Sequence, residues 1–317
     1  MRALHRNRLP QLDGTQLLTD SGLETTLIFH EGLDLPCFAA YPLLDSADGR
    51  QTLKGYFERH LAIAADHGTG FLLEAPTWRA SRDWGADLGH SPEDLARFNG
   101  LAIGLLAEVR RAATSVSPIV ISGNIGPRGD GYRPDTAMTA EEAEEYHAAQ
   151  IGWFVETEAD MVSAFTISTV NEGVGIARAA ARAGMPVVLS YTVETDGRLP
   201  DGTPLGDAFE RTDELTDGAA AYYMVNCAHP DHFRAALESD ADWLRRVWGV
   251  RANASRLSHA ELDEAEDLDP GNPAELGRDY ARLKRMLPNL RVYGGCCGTD
   301  HRHVEAMADC CCQPKAA

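Results

Sequence analysis

A (β/α)₈ barrel is the fold class this sequence predicts, an α/β TIM barrel in a single domain, and three observations predict it. Short apolar, β-rich runs alternate eight times with segments of helical period, the pattern of a parallel sheet covered by helices. A chain of 317 residues suits one such barrel, since these domains routinely exceed ~250 residues. No Gly-x-Gly-x-x-Gly follows the first run, which argues against the competing doubly wound sheet. With no repeat and no long linker, the expected organisation is an N-terminal extension over 1–10, a barrel over 11–309 and a tail over 310–317.

Strands are expected at Gln16–Thr19, Phe71–Leu73, Pro118–Ser122, Asp160–Ala164, Val187–Thr192, Ala221–Asn226, Val247–Arg251 and Leu290–Tyr293. Between the first two, Gln51–His67 carries Leu53, Phe57, Leu61 and Ala64 on one helical face. Ser91-Pro92-Glu93-Asp94 is a helix start, with an N-cap serine, proline at the first position and acids in the first turn. Thr139-Ala140-Glu141-Glu142 opens another helix, which runs to Val155. Further helices are expected at Asn171–Ala183, Leu205–Thr212, Pro230–Leu237, Pro273–Met286 and His303–Ala308. Ser255–Gly271 is the most acidic stretch and long for a barrel connection; it reads as a solvated loop, with a flap as the alternative. The tail from Cys310 to Ala317 is expected to fray.

A net charge of −19, from 29 basic and 48 acidic residues, argues against nucleic acid or an anionic membrane as partner, because both demand a basic surface. No run reaches the length of a membrane-spanning helix. Met1–Pro10 has Arg2, Arg6 and Arg8 but no apolar core, so it does not read as a signal peptide, and the cytoplasm is the expected location. Oligomeric state is not legible.

Seven cysteines in a chain without an export signal read as thiols and metal ligands, not as a disulfide framework. Two of them, Cys296 and Cys297, lie between glycines in Val292-Tyr293-Gly294-Gly295-Cys296-Cys297-Gly298-Thr299-Asp300. Neighbouring side chains in a strand face opposite ways, and glycine permits the sharp bends that would aim both sulfurs at one point. Zinc needs a third protein ligand, and Cys227 ends the sixth expected strand as Cys296 and Cys297 end the eighth. All three therefore fall on the rim where barrels carry their chemistry. The competing readings are a vicinal redox pair or small buried hydrophobes at 296 and 297, and a core cysteine at 227.

With these motifs on the page, the chain resembles the homocysteine S-methyltransferase family over nearly its whole length. Asn226-Cys227 and Gly294-Gly295-Cys296-Cys297-Gly298-Thr299 match the two zinc motifs of that family. Thr19-Asp20-Ser21-Gly22 resembles its opening Asp-Gly-Gly motif. Glu74-Ala75-Pro76-Thr77-Trp78-Arg79-Ala80-Ser81 looks like a divergent form of its Glu-Thr-Asn-Thr segment, and Gly123-Asn124-Ile125-Gly126-Pro127 is similar to its Gly-Ser-x-Gly-Pro loop. The resemblance implies a zinc-dependent methyltransferase that moves a methyl group from a sulfonium donor, S-methylmethionine or S-adenosylmethionine, to homocysteine, giving methionine. One departure bears on the acceptor: where the family often carries Glu-Thr after the fourth strand, this chain has Phe165-Thr166. Either another carboxylate (Glu24, Glu74 or Glu172) takes over the ammonium, or the acceptor is a different thiol.

Three thiolates leave zinc one open position, where an acceptor thiol is deprotonated at neutral pH and attacks an activated methyl group. A cationic donor suits acidic surroundings and aromatic faces such as Trp78 or Tyr191. Asp20 either binds substrate or caps the following turn, and Asn226 either orders the metal's surroundings or closes its strand. His301-x-His303 is expected to open the last helix, and nothing beyond position speaks for His229 or Cys37. At 317 residues a self-contained cobalamin- or folate-dependent synthase is not expected. The remaining alternatives are a thiol-binding module served by a separate methyl-donor protein, and a thiol-redox protein.

Overall fold

All eight expected strands are present in a computed structural model that describes residues 2–132, 138–265 and 267–312. They are β1 (Leu17–Thr19), β2 (Gly70–Glu74), β3 (Ile119–Ile125), β4 (Met161–Ile167), β5 (Val187–Tyr191), β6 (Tyr222–Asn226), β7 (Val247–Ala252) and β8 (Val292–Gly295). Every neighbour pair is parallel, and β1 pairs with β8 (Leu17 with Val292, Leu18 with Tyr293), so the sheet closes into a barrel.

Eight helices follow the strands in turn: α1 (Ala47–His67), α2 (Pro92–Ala112), α3 (Ala140–Val155), α4 (Val170–Ala183), α5 (Leu205–Thr216), α6 (Pro230–Phe233), α7 (Pro273–Met286) and α8 (His301–Cys311). Their starts are chemically explained. Ser91 and Asp94 form a reciprocal capping box ahead of α2, and Thr139 with Glu142 does the same for α3, satisfying N–H groups that a helix end otherwise leaves orphaned. The apolar face expected on α1 is buried as Leu53, Phe57, Leu61 and Ala64. None of these helices is long and apolar enough to cross a membrane.

Alternation along the strands fills the barrel in layers. Leu17, Leu72, Val120, Met161, Val188, Tyr222 and Val292 form an apolar floor, closed from below by Leu9. On β7 the inward position is Gly249, because a Cβ there would sit 2.5 Å from the Met224 side chain. The N-terminal segment is tied down rather than loose. Asp160 accepts the backbone N–H groups of Leu4 and His5, each at 2.7 Å, and ion-pairs with Arg110.

The floor is apolar but the next layer is polar. Ser163 Oγ donates to Glu74 Oε1 (2.9 Å) and lies 2.8 Å from Ser122 Oγ, while Ser190 Oγ donates to Asn226 Oδ1 (2.7 Å). Arg251 completes this layer from β7. Polar groups inside a barrel are stable only when partnered or facing a ligand, so this layer marks where packing stops and the cavity begins.

One expectation needs extending and one correcting. Most described residues of Ser255–Gly271 are exposed, as expected of a solvated stretch, but it also carries a short helix, His259–Asp263, and Ser255, His259 and Leu262 wall the cavity. Cys310–Cys312, by contrast, does not fray. Helix α8 runs through Cys311, and Cys311 and Cys312 are buried in the main core; residues 313–317 lie outside the described residues. The reason is amphipathicity, which places Val304, Met307, Ala308 and Cys311 on one buried face of α8.

Candidate metal centre

At the C-terminal rim of the barrel, three sulfurs from distant parts of the chain meet. Cys227 Sγ lies 3.3 Å from Cys296 Sγ and 3.5 Å from Cys297 Sγ, and all three lie within 4.8 Å of one another. A tetrahedral ion with Zn–S near ~2.3 Å separates its sulfurs by about 3.8 Å, so the observed cluster needs only a small expansion to hold one. All seven cysteines are free thiols.

Backbone conformation aims these sulfurs. Asn226 already points inward from β6, so the following residue would face outward in a regular strand. Cys227 instead has φ = 57°, a left-handed conformation that costs a non-glycine residue about 1–2 kcal/mol, and this turns its sulfur back to the same side. Around the other two cysteines the glycines do different work from that expected. Only Gly298 adopts positive φ (78°). Gly294 and Gly295 are required by close approach: a Cβ would run into Thr19 at the first and the Thr299 side chain at the second.

The surroundings hold the sulfurs in place. Asn226 Oδ1 accepts from Thr166 N–H (2.9 Å) as well as from Ser190, and its Nδ2 donates to Thr166 Oγ1 (2.9 Å) and approaches Cys296 Sγ at 3.9 Å. Asn226 therefore ties β4, β5 and β6 together directly behind the cluster. Hydrogen bonds from Cys227 and Cys297, with Arg251 nearby, hold the Cys296 thiol well below its ordinary value, while the same contacts push Cys227 and Cys297 up. Tyr132 covers the cluster from above. Its hydroxyl is 2.7 Å from Cys227 Sγ, and its ring stacks on His259 with centroids 3.8 Å apart.

The sulfurs open onto a cavity of about 440 Å³ lined also by Asp20, Glu24, Glu74, Trp78, Asn124, Phe165, Asn226 and Arg251. Asp20, Glu24, Glu74, Trp78 and Asn226, five of the six substrate-contact candidates, are therefore brought together; the sixth is not. Glu172 accepts from His147 Nε2 (3.0 Å) and from the Arg128 backbone N–H (2.8 Å), which anchors the loop leading to Tyr132. It lies at the start of α4, behind the cavity wall, because the chain has turned into the helix by that point. Tyr191 is likewise buried in the core, bonded to Thr212, and out of reach of a donor.

Trp78 lines the cavity, but one face of its ring already carries a cation. The Arg79 guanidinium is sandwiched between Trp78 and Trp84, 3.9 and 3.6 Å from the two ring centroids. Burial pulls this guanidinium down to about 10. Asp20 also differs from expectation: its carboxylate is fully engaged inside the protein. It accepts from Arg251 Nη1 (2.7 Å), Thr19 Oγ1 (3.0 Å) and the Tyr56 hydroxyl (3.1 Å).

Arg251 is the main residue that reading the sequence missed. It donates from Nε to Gly295 O, from Nη1 to Thr19 Oγ1 and Asp20, and from Nη2 to Ser21 O, and its guanidinium lies 5.1 Å from the Phe165 ring centroid. A signal existed: Arg251 sits between Val250 and Ala252 in an apolar strand, on the opposite face from them, and a charged residue inside the barrel demands a partner. Tyr132 and His259 carried no such signal, since the first sits on an irregular loop and the second opens a helix of 5 residues, too short to show a period. Two further cavity carboxylates are perturbed. Burial pushes both Glu24 and Glu74 up to about 7.

Comparison with known proteins agrees with this geometry. The family model described as homocysteine S-methyltransferase matches residues 17–311. Homocysteine S-methyltransferase YbgG of Bacillus subtilis is 25% identical over 240 residues, which are 69% of this chain and 72% of that protein. Crystal structures of homocysteine methyltransferase MmuM from Escherichia coli share the fold. The oxidized form superposes with a TM-score of 0.74 at 19% identity, covering 94% of this chain and 97% of that one. The metallated form gives 0.72 at 19% identity, covering 95% and 98%. At such identity the structures speak for the barrel alone, whereas the family model spans the strands that carry all three sulfurs. The chain belongs to the homocysteine S-methyltransferase family and is a methyltransferase.

Proposed function

We propose that this protein is a zinc-dependent S-methyltransferase that moves a methyl group from a small sulfonium donor, S-methylmethionine or S-adenosylmethionine, to homocysteine, giving methionine. The observation that carries the reading is the cluster of Cys227, Cys296 and Cys297, with the Cys227 sulfur 3.3 and 3.5 Å from the other two, opening onto an acidic cavity. One structure of MmuM, which shares the barrel, is named as a metallated form, so a metal is compatible with this fold. Three thiolates are the donor set of a zinc ion that keeps one position open.

Zinc bound there supplies a Lewis-acid position at which an acceptor's sulfur is held as thiolate at neutral pH. The chain's own residues do the rest. Asn226 holds the Cys296 side of the cluster through its bonds to Thr166 and Ser190. Tyr132 and His259 roof the site and restrict water. The thiolate's electron pair forms the new C–S bond as the donor's methyl–sulfonium bond breaks; the donor leaves as a neutral thioether, and the thiol proton passes to solvent. Glu24, facing the cavity beside Cys296, places a carboxylate where a sulfonium must approach.

Two expected results follow. Zinc-loaded protein with homocysteine and either sulfonium should form methionine detectable by mass spectrometry, and chelation should abolish this until zinc is restored. Absence of methyl transfer from every sulfonium tested, with stoichiometric zinc present, would overturn the reading. Glu24→Gln should raise KM for the sulfonium roughly tenfold while KM for homocysteine moves by no more than about twofold. Initial-rate kinetics with each substrate varied in turn separate the two.

A further inference from the structure

Among the described residues, three buried acceptor atoms in the cavity wall have no partner within the protein: one belongs to Asn253, just after β7, and the other two lie together on β2 and β3. Glu74 Oε1 receives the Ser163 hydroxyl, but Glu74 Oε2 is buried without a partner, and so is Asn124 Oδ1. Glu74 is 2% exposed. Both side chains face inward from neighbouring strands; Glu74 is in register with Ser122, two residues before Asn124, and both line the cavity that the three sulfurs open onto. Buried polar atoms are satisfied in native proteins, so orphaned acceptors in a cavity wall call for donors supplied by a ligand.

Of the other candidate groups, Glu24 faces the cavity beside Cys296 and is assigned to the sulfonium, and the rest are spent or misplaced. Asp20 is neutralised by Arg251, and four contacts from Arg251 go to Gly295, Thr19, Asp20 and Ser21. Phe165 offers β4 no charge at all, and Glu172 is locked to His147 outside the cavity. A neutral hydroxyl from a ligand could satisfy one orphan but would add no charge to balance the carboxylate beyond that of Arg251, whose hydrogen bonds all go elsewhere. An ammonium brings three donors and a positive charge, which suits one carboxylate oxygen and one carboxamide oxygen together. Burial pushes Glu74 up to about 7, so an arriving cation also decides its ionisation.

We propose that Glu74, together with the Asn124 carboxamide, receives the ammonium group of the acceptor thiol and so sets acceptor selectivity. This rests on reading the cavity as the place where an acceptor thiol binds. The amino-acid head would thus be held at the ends of β2 and β3, while Asp20 serves Arg251 and β4 contributes only the Phe165 ring.

The test uses the full-length, zinc-loaded protein and two thiols, L-homocysteine and 4-mercaptobutanoic acid, which keeps the thiol and carboxylate but lacks the ammonium. Wild-type protein should favour homocysteine in kcat/KM by roughly 100-fold, and Glu74→Gln should collapse that ratio to within a few-fold. Asn124→Val should lower it in the same direction by less. The ratio is the readout because a damaged fold slows both thiols together and leaves it unchanged. A wild-type preference for 4-mercaptobutanoic acid, or an unaltered ratio in Glu74→Gln, overturns the proposal while leaving methyl transfer standing. A parallel calorimetric titration of both thiols without donor separates the two readings. Preferential homocysteine binding that Glu74→Gln abolishes, with no methylation from any donor, would sustain the subsite and overturn the reaction.

Discussion

Replacing Cys227 by alanine is expected to take bound zinc from near one equivalent to near zero and to lower methyl transfer by about 10³-fold or more. Its sulfur lies against both other thiols, at 3.3 and 3.5 Å, so its loss leaves two ligands on one turn, too few to enclose a tetrahedral ion. The effect should exceed that of Asn226→Ala, which removes support behind the cluster but no ligand and should weaken zinc binding by about 10–100-fold. Metal analysis after dialysis, alongside activity, gives the order. A Cys227→Ala protein that retains stoichiometric zinc would sink the three-sulfur centre. The buried thiol lies outside the apolar floor of the barrel, so thermal unfolding of the variant should show a folded protein and separate ligand loss from collapse.

Arg251→Met should destabilise the folded protein by about 3–5 kcal/mol, because removing one partner of a buried ion pair strands the other charge. Asp20 would then be buried with only hydroxyl partners, Thr19 and Tyr56, and Glu74 would lose its nearest positive charge. The double replacement Arg251→Met with Asp20→Asn removes the stranded charge and should recover much of the loss. Urea unfolding of the three variants tests this. An Arg251→Met midpoint equal to wild type would show that the pair carries no structural role. The guanidinium also ties β7 to the loop after β1 and to β8, through Ser21 O and Gly295 O, so its removal should loosen the rim as well as the pair.

The barrel was legible because its strands are short apolar runs at regular spacing and its helices begin with recognisable caps. Ser91 with Asp94 and Thr139 with Glu142 are local signals, decided within four residues, and each survives in the folded protein as a capping box. The cysteine cluster was legible for a related reason: once Asn226-Cys227 and Cys296-Cys297 end the sixth and eighth strands, closure of the sheet brings them to one rim. Short elements were missed where no period could develop, as in Arg82–Asp87 and His259–Asp263. Cys311 was assigned to a fraying tail by its place near the chain end, although its spacing from Val304 and Met307 was already that of a buried helical face.

By itself the sequence determined the barrel, its closing order and the three sulfurs, because strand period, helix capping and rim position are properties of neighbouring residues. Which carboxylates remain available to a substrate was decided only by tertiary structure. Asp20 and Arg251 stand 231 positions apart and meet inside the barrel, and Glu172 turns away to His147. Glu74 is left with an unanswered oxygen. A side chain's charge is written in its identity, but whether that charge is already balanced depends on partners brought near only when the sheet closes.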